Sequence, residues 1–419
     1  MEIIPLYNLL QKQGFSTDTR SITEGQIFIA LQGETFDGNT LAINALEQGA
    51  SYALIDNPHY KTDERCILVE NTLTTLQELA KIHRKHFSIP ILVIGGSNGK
   101  TTTKELVHAV LSKKYTTHTT SGNLNNNIGV PMTILNMKAN TEIAVIEIGA
   151  NHPGEHRELM DILAPTHVLI TNNGADHLEG FESLAGVRKA NKEIYDWAHT
   201  HHAHAFVNQH IDDLGEDSNN LSRTVYPMSP YESTSSLYAS IRYNGLDFTS
   251  SLFGSYNEAN MLAALAIGEY FEVPLSDIQS AIAEYVPTLK RSQVIQKDDY
   301  TLIVDCYNAN PTSMSLALRD FAHTSPTGKR IFVIGDMLEM GSEESRLHKE
   351  ILDLTQSIAD PHDIVWCVGP RFGMYKNDFP FAFFNSAADA QKIFTTLDLA
   401  GKIVFLKASR GIRLEDILK

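Results

Sequence analysis

Cysteine is scarce in this 419-residue chain: Cys66, Cys306 and Cys367 are the only three. An odd, scattered set makes no disulfide framework and suits a reducing compartment, so each reads as a small apolar filler. Long apolar runs are missing too. Nowhere do the roughly 18 apolar residues of a membrane-spanning helix run together, and the opening "MEIIPLYNLLQKQG" has no basic region followed by an apolar stretch. A cytoplasmic protein is expected. Positive charge is in deficit, because 34 Lys and Arg face 50 Asp and Glu, for a formal charge of -16. A nucleic-acid or anionic-membrane partner would be repelled at long range, so any phosphate site must be locally positive. Internal repeats and long low-complexity tracts are absent as well. What remains, 42% apolar and 20% charged, is an ordinary globular composition, and the length exceeds one hydrophobic core, which predicts about three domains.

The most informative stretch is "GGSNGKTTTKE", residues 95–105, set between the apolar "IPILVI" and the helix-compatible "KELVHAVLSKK". Backbone N–H groups of Gly96, Ser97, Asn98 and Gly99 can ring an anion. The glycines let the chain bend back, and the following helix aims its N-terminal partial positive charge at the same point. Lys100 is expected to reach terminal phosphates, and the Thr101 hydroxyl, with Thr102 beside it, to ligate Mg2+. This is the pattern of a nucleoside triphosphate loop. A plain Gly-rich turn is the competing reading, disfavoured by the order of strand, loop, Gly-Lys-Thr and helix. One glycine is missing: the position five before Gly99 holds Ile94, which points away from ordinary kinases and switch GTPases.

The rhythm of the chain predicts an α/β protein of three domains. Residues 1–86 alternate short apolar runs with turns, a small mixed α/β domain without a phosphate loop. Residues 87–290 alternate strands ("ILVIGG", "AVIEIG", "HVLITNN", "AFVNQ") with helices near 100–113 and 184–199, the signature of a parallel-sheet P-loop domain. Residues 291–419 repeat the alternation as a Rossmann-like unit with helices near 312–322, 343–358 and 386–397. Such sheets bind ligands beyond the carboxyl ends of their strands. There stand Glu147, a carboxylate ending an apolar strand and in need of a cation, and His177, in a loop from which imidazole could join the same metal. Alone, each also reads as an ion-paired Glu and a surface His. Their place after consecutive strands of the phosphate-loop sheet favours function. The cluster "HTHHAHA" matches no standard zinc spacing and reads as a solvated helix end.

"GGSNGKTTTKE", "GNLNNNIGVPMTIL", "VIEIGANHPGE", "ITNNGADHLEGF", "GSYNEANMLAAL", "DCYNANPTSM", "VIGDMLEMG" and "KASRGIRLE", with "DTRSITEGQIFIALQGETFDGN" before them, resemble in order the Mur ligase family. The resemblance implies ATP and Mg2+, a UDP-N-acetylmuramoyl-tripeptide and D-alanyl-D-alanine as substrates, and an amide bond made through an acyl phosphate in wall peptidoglycan synthesis. It implies catalytic roles for Lys100, Glu147 and His177, with Thr101, Glu147 and His177 at metal. It further implies nucleotide contacts from Asn260, Arg291, Asp305 and Asn308, UDP contacts from Asp18, Thr19 and Arg20, and diphosphate and sugar contacts from Asn123, Asn125 and Asn126. The chain is read as a monomer that binds no nucleic acid. The family's carbamate-bearing lysine falls at Asn191, with Lys192 one place on and so turned about 100° around the helix. A ligase working without the carbamate is expected, with Asn191 or a water it orients in that role. Other amide ligases of the family, adding a diamino acid or glutamate, remain alternatives, as do a P-loop phosphotransferase, a regulatory ATPase and a nonenzymatic nucleotide-binding scaffold.

Overall fold

Strands Phe15–Ser16, Ile27–Ile29, Tyr52–Ile55 and Cys66–Leu68 form a parallel four-stranded sheet in that order. The computed structural model describes residues 2–33, 35–287, 290–324 and 329–419; Glu34, inside the stretch "DTRSITEGQIFIALQGETFDGN" that carries part of the resemblance, lies outside them. Helix Thr72–Arg84 starts at Asn71, whose side chain accepts from Thr74 N–H, a standard N-cap. Its far end fastens the first unit to the second. His83 Nε2 donates to Met137 O, and Arg84 donates to Leu163 O and Ala164 O.

The second unit is a parallel six-stranded sheet ordered Arg223–Tyr226, His204–Asn208, His167–Ile170, Ile91–Gly95, Ile143–Glu147, Thr117–Thr119. Its central strands are buried along their whole length, as the continuous apolar runs require of a sheet covered on both faces. Helix Lys100–Leu111 follows the middle strand and packs beside helix Glu258–Tyr270. The expected helix at 184–199 runs Leu184–His201.

The third sheet was not legible in full. The parallel run Thr301–Asp305, Ile403–Lys407, Arg330–Gly335, Ile364–Val368, Ala382–Phe384 takes its first four strands from the apolar stretches "YTLIVDCYN", "KIVFLKAS", "RIFVIGD" and "DIVWCVG", whereas the edge strand Ala382–Phe384 was not expected from the sequence. Four antiparallel strands, Tyr231–Ser233, Tyr238–Tyr243, Leu246–Phe253 and Gln293–Gln296, extend it to nine. The join is the pair Leu252/Gln293, so one sheet runs across the expected boundary at 290/291. The three cysteines are buried and free, and no helix among the described residues is long and apolar enough to cross a membrane.

Candidate active site

The loop after Ile91–Gly95, the end of Ile143–Glu147 and the chain leaving His167–Ile170 open into one cleft of about 570 Å³. Gly96 and Gly99 have φ of 113° and 83°. A Cβ on Gly96 would lie 2.4 Å from Thr171 Oγ1, and one on Gly99 2.5 Å from Asn260 Oδ1, so conformation and space both demand glycine. Asn172 secures the loop: its O and Oδ1 accept from Ser97 and Asn98 N–H, and its Nδ2 donates to Asn98 O. Lys100 Nζ donates to Gly96 O at 2.6 Å and Ser97 O at 2.9 Å, and lies 3.8 Å from Asp176 Oδ2.

Glu147 is 1% exposed. Its Oε1 accepts from Asn125 Nδ2 at 2.8 Å and its N–H donates to Thr120 Oγ1, while Thr120 O accepts from the buried Lys104 Nζ. Glu147 Oε2, Thr101 Oγ1 and Ser97 Oγ are buried with no hydrogen-bond partner among the described residues. A bare carboxylate oxygen in the interior is costly, and a hard, oxygen-seeking cation is what this donor set suits. No group of three or more His, Cys, Asp and Glu able to hold a metal occurs among the described residues. A cation here would therefore draw further oxygens from a bound phosphate.

His177 precedes the short helix Leu178–Phe181 with φ of 47°. Its Nδ1 lies 2.6 Å from Glu339 Oε2 and its Nε2 3.7 Å from Asp176 Oδ2. Burial depresses its pKa, but the hydrogen bond to Glu339 and the Asp176 charge outweigh burial, so the net shift is upward.

The third unit closes directly on this loop. Asn310 caps helix Pro311–His323 in a capping box and turns Nδ2 to Asn98 Oδ1 at 2.8 Å and Asp176 Oδ1 at 3.4 Å. Thr312 Oγ1 accepts from Ala175 N–H. Asp305 accepts from Lys407 Nζ at 2.6 Å and from Ser292 N–H, and Lys407 also reaches Asn308 O. The Arg291 guanidinium lies 3.5 Å from the Tyr307 ring centroid and Arg410 5.3 Å from it, close enough for cation–π attraction.

Of the residues expected at a site, Ser97 to Thr102, Glu147, His177, Asn260, Arg291, Asp305, Asn308, Asn123, Asn125 and Asn126 all line the cleft. Gly96 lies behind it, its Cβ position closed by Thr171. Asn260 has a packing use that the motif did not suggest: it accepts from Thr103 Oγ1 and donates to Asn257 Oδ1. Asp18, Thr19 and Arg20 do not line the cleft. Asp18 caps the turn Thr19–Ser21 and pairs with Arg20, whose hydrogen bonds bring its pKa down to about 2. The sequence reading passed over Asp176 and Glu339. The "DH" step beside His177 was a usable signal for the first, whereas nothing local marked the second.

Three family descriptions match the chain: "Mur ligase family, catalytic domain" over residues 13–84, "Mur ligase middle domain" over 94–268 and "Mur ligase, glutamate ligase domain" over 290–410. The UDP-N-acetylmuramoyl-tripeptide--D-alanyl-D-alanine ligase of Bacillus subtilis is 32% identical over 435 residues, covering 99% of this chain and 94% of the relative. The chain belongs to the Mur ligase family. A MurF crystal structure from Acinetobacter baumannii superposes with a TM-score of 0.84 at 28% identity, covering 96% of this chain and 92% of that one. MurF ligase from Thermotoga maritima in complex with ADP gives 0.83 at 25% identity, covering 98% and 97%.

Asn191, which the resemblance sets where the family carries its lysine, is buried among side chains and absent from the cleft lining. Its Oδ1 accepts from His156 Nε2 at 3.2 Å and its Nδ2 donates to Asn173 Oδ1 at 2.8 Å, so it braces helix Leu184–His201 against its neighbours instead of facing the cleft. Complete burial brings the His156 pKa down to about 4, which keeps that ring neutral. Lys192 points outward and pairs with Asp196. Lys192→Ala should keep most ligase turnover. Asn191→Ala strands the buried His156 ring N–H and takes a donor from the half-buried Asn173 amide, so it should lower activity and stability, by about 1–3 kcal/mol for the latter. Parallel thermal melts and turnover assays check both, and the reverse order would make Lys192 the functional residue.

Proposed function

We propose that this chain is an ATP-dependent ligase that joins D-alanyl-D-alanine to UDP-N-acetylmuramoyl-tripeptide, releasing ADP and phosphate, in peptidoglycan synthesis. One observation carries the reading: Lys100, Thr101 and Glu147 meet Asp305 and Asn310 across a single cleft, in a chain aligned end to end with a ligase of that name. The division of labour follows residues 1–86 for the UDP moiety, 87–290 for ATP and 291–419 as the closing unit. A monomer in the cytoplasm is part of the same proposal.

A carboxylate is a poor electrophile until it carries a leaving group. An oxygen of the tripeptide's terminal carboxylate attacks the γ-phosphorus of ATP, ADP departs, and an acyl phosphate forms. The amine nitrogen of D-alanyl-D-alanine then attacks the acyl carbon; phosphate leaves with the bonding pair and the nitrogen gives up a proton. Both steps bring anions together, so alignment and neutralisation are the protein's task. Lys100, the loop N–H groups of Ser97 to Gly99 and the N-terminus of helix Lys100–Leu111 supply positive potential. Thr101 would hold one Mg2+ and Glu147 with His177 a second, and these ions when bound would supply neutralisation of the anionic charge. Asn123, Asn125 and Asn126 orient the diphosphate and sugar, while Arg291, Asp305, Asn308 and Asn260 face the nucleotide. The contacts of Asn310 with Asn98 in the loop and of Thr312 with Ala175 in the segment before His177 bring the third unit down on the site and keep water from the acyl phosphate.

Phosphate release from ATP should be nearly silent until both the UDP-tripeptide and D-alanyl-D-alanine are present. Running the lysine and diaminopimelate tripeptides side by side reads the third-residue preference. Release with ATP alone would favour a phosphotransferase or regulatory ATPase. Turnover with a free amino acid in place of the dipeptide would favour another amide ligase of the family.

A further inference from the structure

His177 and Glu339 meet across the boundary between the second and third units, and their contact is built from backbone as well as side chain. His177 Nδ1 is 2.6 Å from Glu339 Oε2. Glu179 N–H donates to Glu339 O at 3.3 Å, and a Cβ at Gly341 would lie 3.4 Å from Glu179 Cα. The turn at 339–341 is therefore seated on the turn at 177–180. Both partners hold left-handed backbone conformations, His177 at φ 47° and Glu339 at φ 64°. Non-glycine residues adopt that region at a cost and keep it where surrounding structure enforces it.

A carboxylate can only accept from a neutral imidazole, so the pair places the ring proton on Nδ1. The lone pair then sits on Nε2, the nitrogen on the side of Asp176 Oδ2 at 3.7 Å. Which imidazole nitrogen is free to bind a metal is set by the hydrogen bond that the other one makes, and such an outer carboxylate raises the ligand's basicity and fixes its orientation. We propose that Glu339 is a positioning residue for His177: it selects the Nδ1–H tautomer and leaves the Nε2 lone pair free for a cation, so that the His177 ligand is completed only when the third unit is seated. The inference rests on the reading of His177 as a metal ligand.

The test separates the two. In the metal-free protein, at a pH where the ring is neutral, ¹⁵N chemical shifts of His177 report its tautomer without turnover. Wild type should show Nδ1 protonated. Glu339→Gln, whose amide oxygen still accepts, should keep that tautomer, and Glu339→Ala should revert toward Nε2–H. Mn2+ affinity, read by electron paramagnetic resonance in the presence of a non-hydrolysable ATP analogue, should fall about 10-fold or more in Glu339→Ala and be largely retained in Glu339→Gln. A wild-type tautomer in Glu339→Ala overturns the assignment whatever the affinity does, because a mere interdomain latch would leave the ring proton where it was. His177→Ala provides the separate control. Unchanged Mn2+ affinity there overturns the metal reading and this role with it. Weakened affinity there, together with wild-type behaviour of Glu339→Ala, overturns this inference alone.

Discussion

Lys100→Ala should lose about 100-fold or more of ligase turnover while its thermal midpoint stays close to wild type. The two halves have separate physical origins. The side chain is 15% exposed and, among the described residues, its ammonium donates only to the carbonyls of Gly96 and Ser97 in its own loop, so truncation empties no part of the core. Alanine is also a good residue for the first turn of helix Lys100–Leu111. Turnover, by contrast, needs positive charge where the transferring phosphoryl group passes between two anions, and a negative side chain stands close by, Asp176 Oδ2 at 3.8 Å from the ammonium. Removing the ammonium leaves that carboxylate facing the phosphates. Phosphate release with both substrates, alongside a circular-dichroism melt, checks the prediction. Retention of more than about a tenth of wild-type turnover would count against it.

Glu147→Gln should separate stability from activity. The wild-type carboxylate ends a wholly buried strand with one oxygen held by Asn125 and the other unpartnered among the described residues. A neutral amide of the same shape keeps an oxygen for Asn125 Nδ2 and removes a buried charge. The metal-free variant should therefore be as stable as wild type or more stable, by about 1–3 kcal/mol. Turnover should drop about 100-fold or more, since a neutral amide is a weak partner for a hard cation at the phosphoryl oxygens. Calorimetric melts with and without Mg2+ and an ATP analogue provide the check: the ligands should raise the midpoint of wild type and raise that of the variant far less. A variant destabilised without metal would mean that Glu147 has a structural cation partner.

The phosphate loop and the strand-end carboxylate were readable because their physics is local. Gly96 and Gly99 answer to backbone conformation within a few residues, and Glu147 announces itself as a charge interrupting "AVIEIG". The alternating strands and helices of the second unit and most of the third were legible for the same reason, each being a short periodic segment. Asn191 shows where local reading stops. Its place in the helix turned Lys192 outward as one step of rotation requires, but its own amide went to His156 and Asn173, partners from other segments that no spacing along the chain reveals.

By itself, then, the sequence determined the family, the three-part order and the place of the glycine loop between strand and helix, because motif, period and composition are properties of neighbours along the chain. Only the tertiary structure decided that one nine-stranded sheet crosses the boundary at 290/291 through the pair Leu252/Gln293. It alone also brought Asn310 to Asn98 and Glu339 to His177. Those contacts join residues 162 to 212 positions apart in the chain, and their existence depends on how the three units pack together, a free energy summed over whole faces that no short stretch of residues encodes.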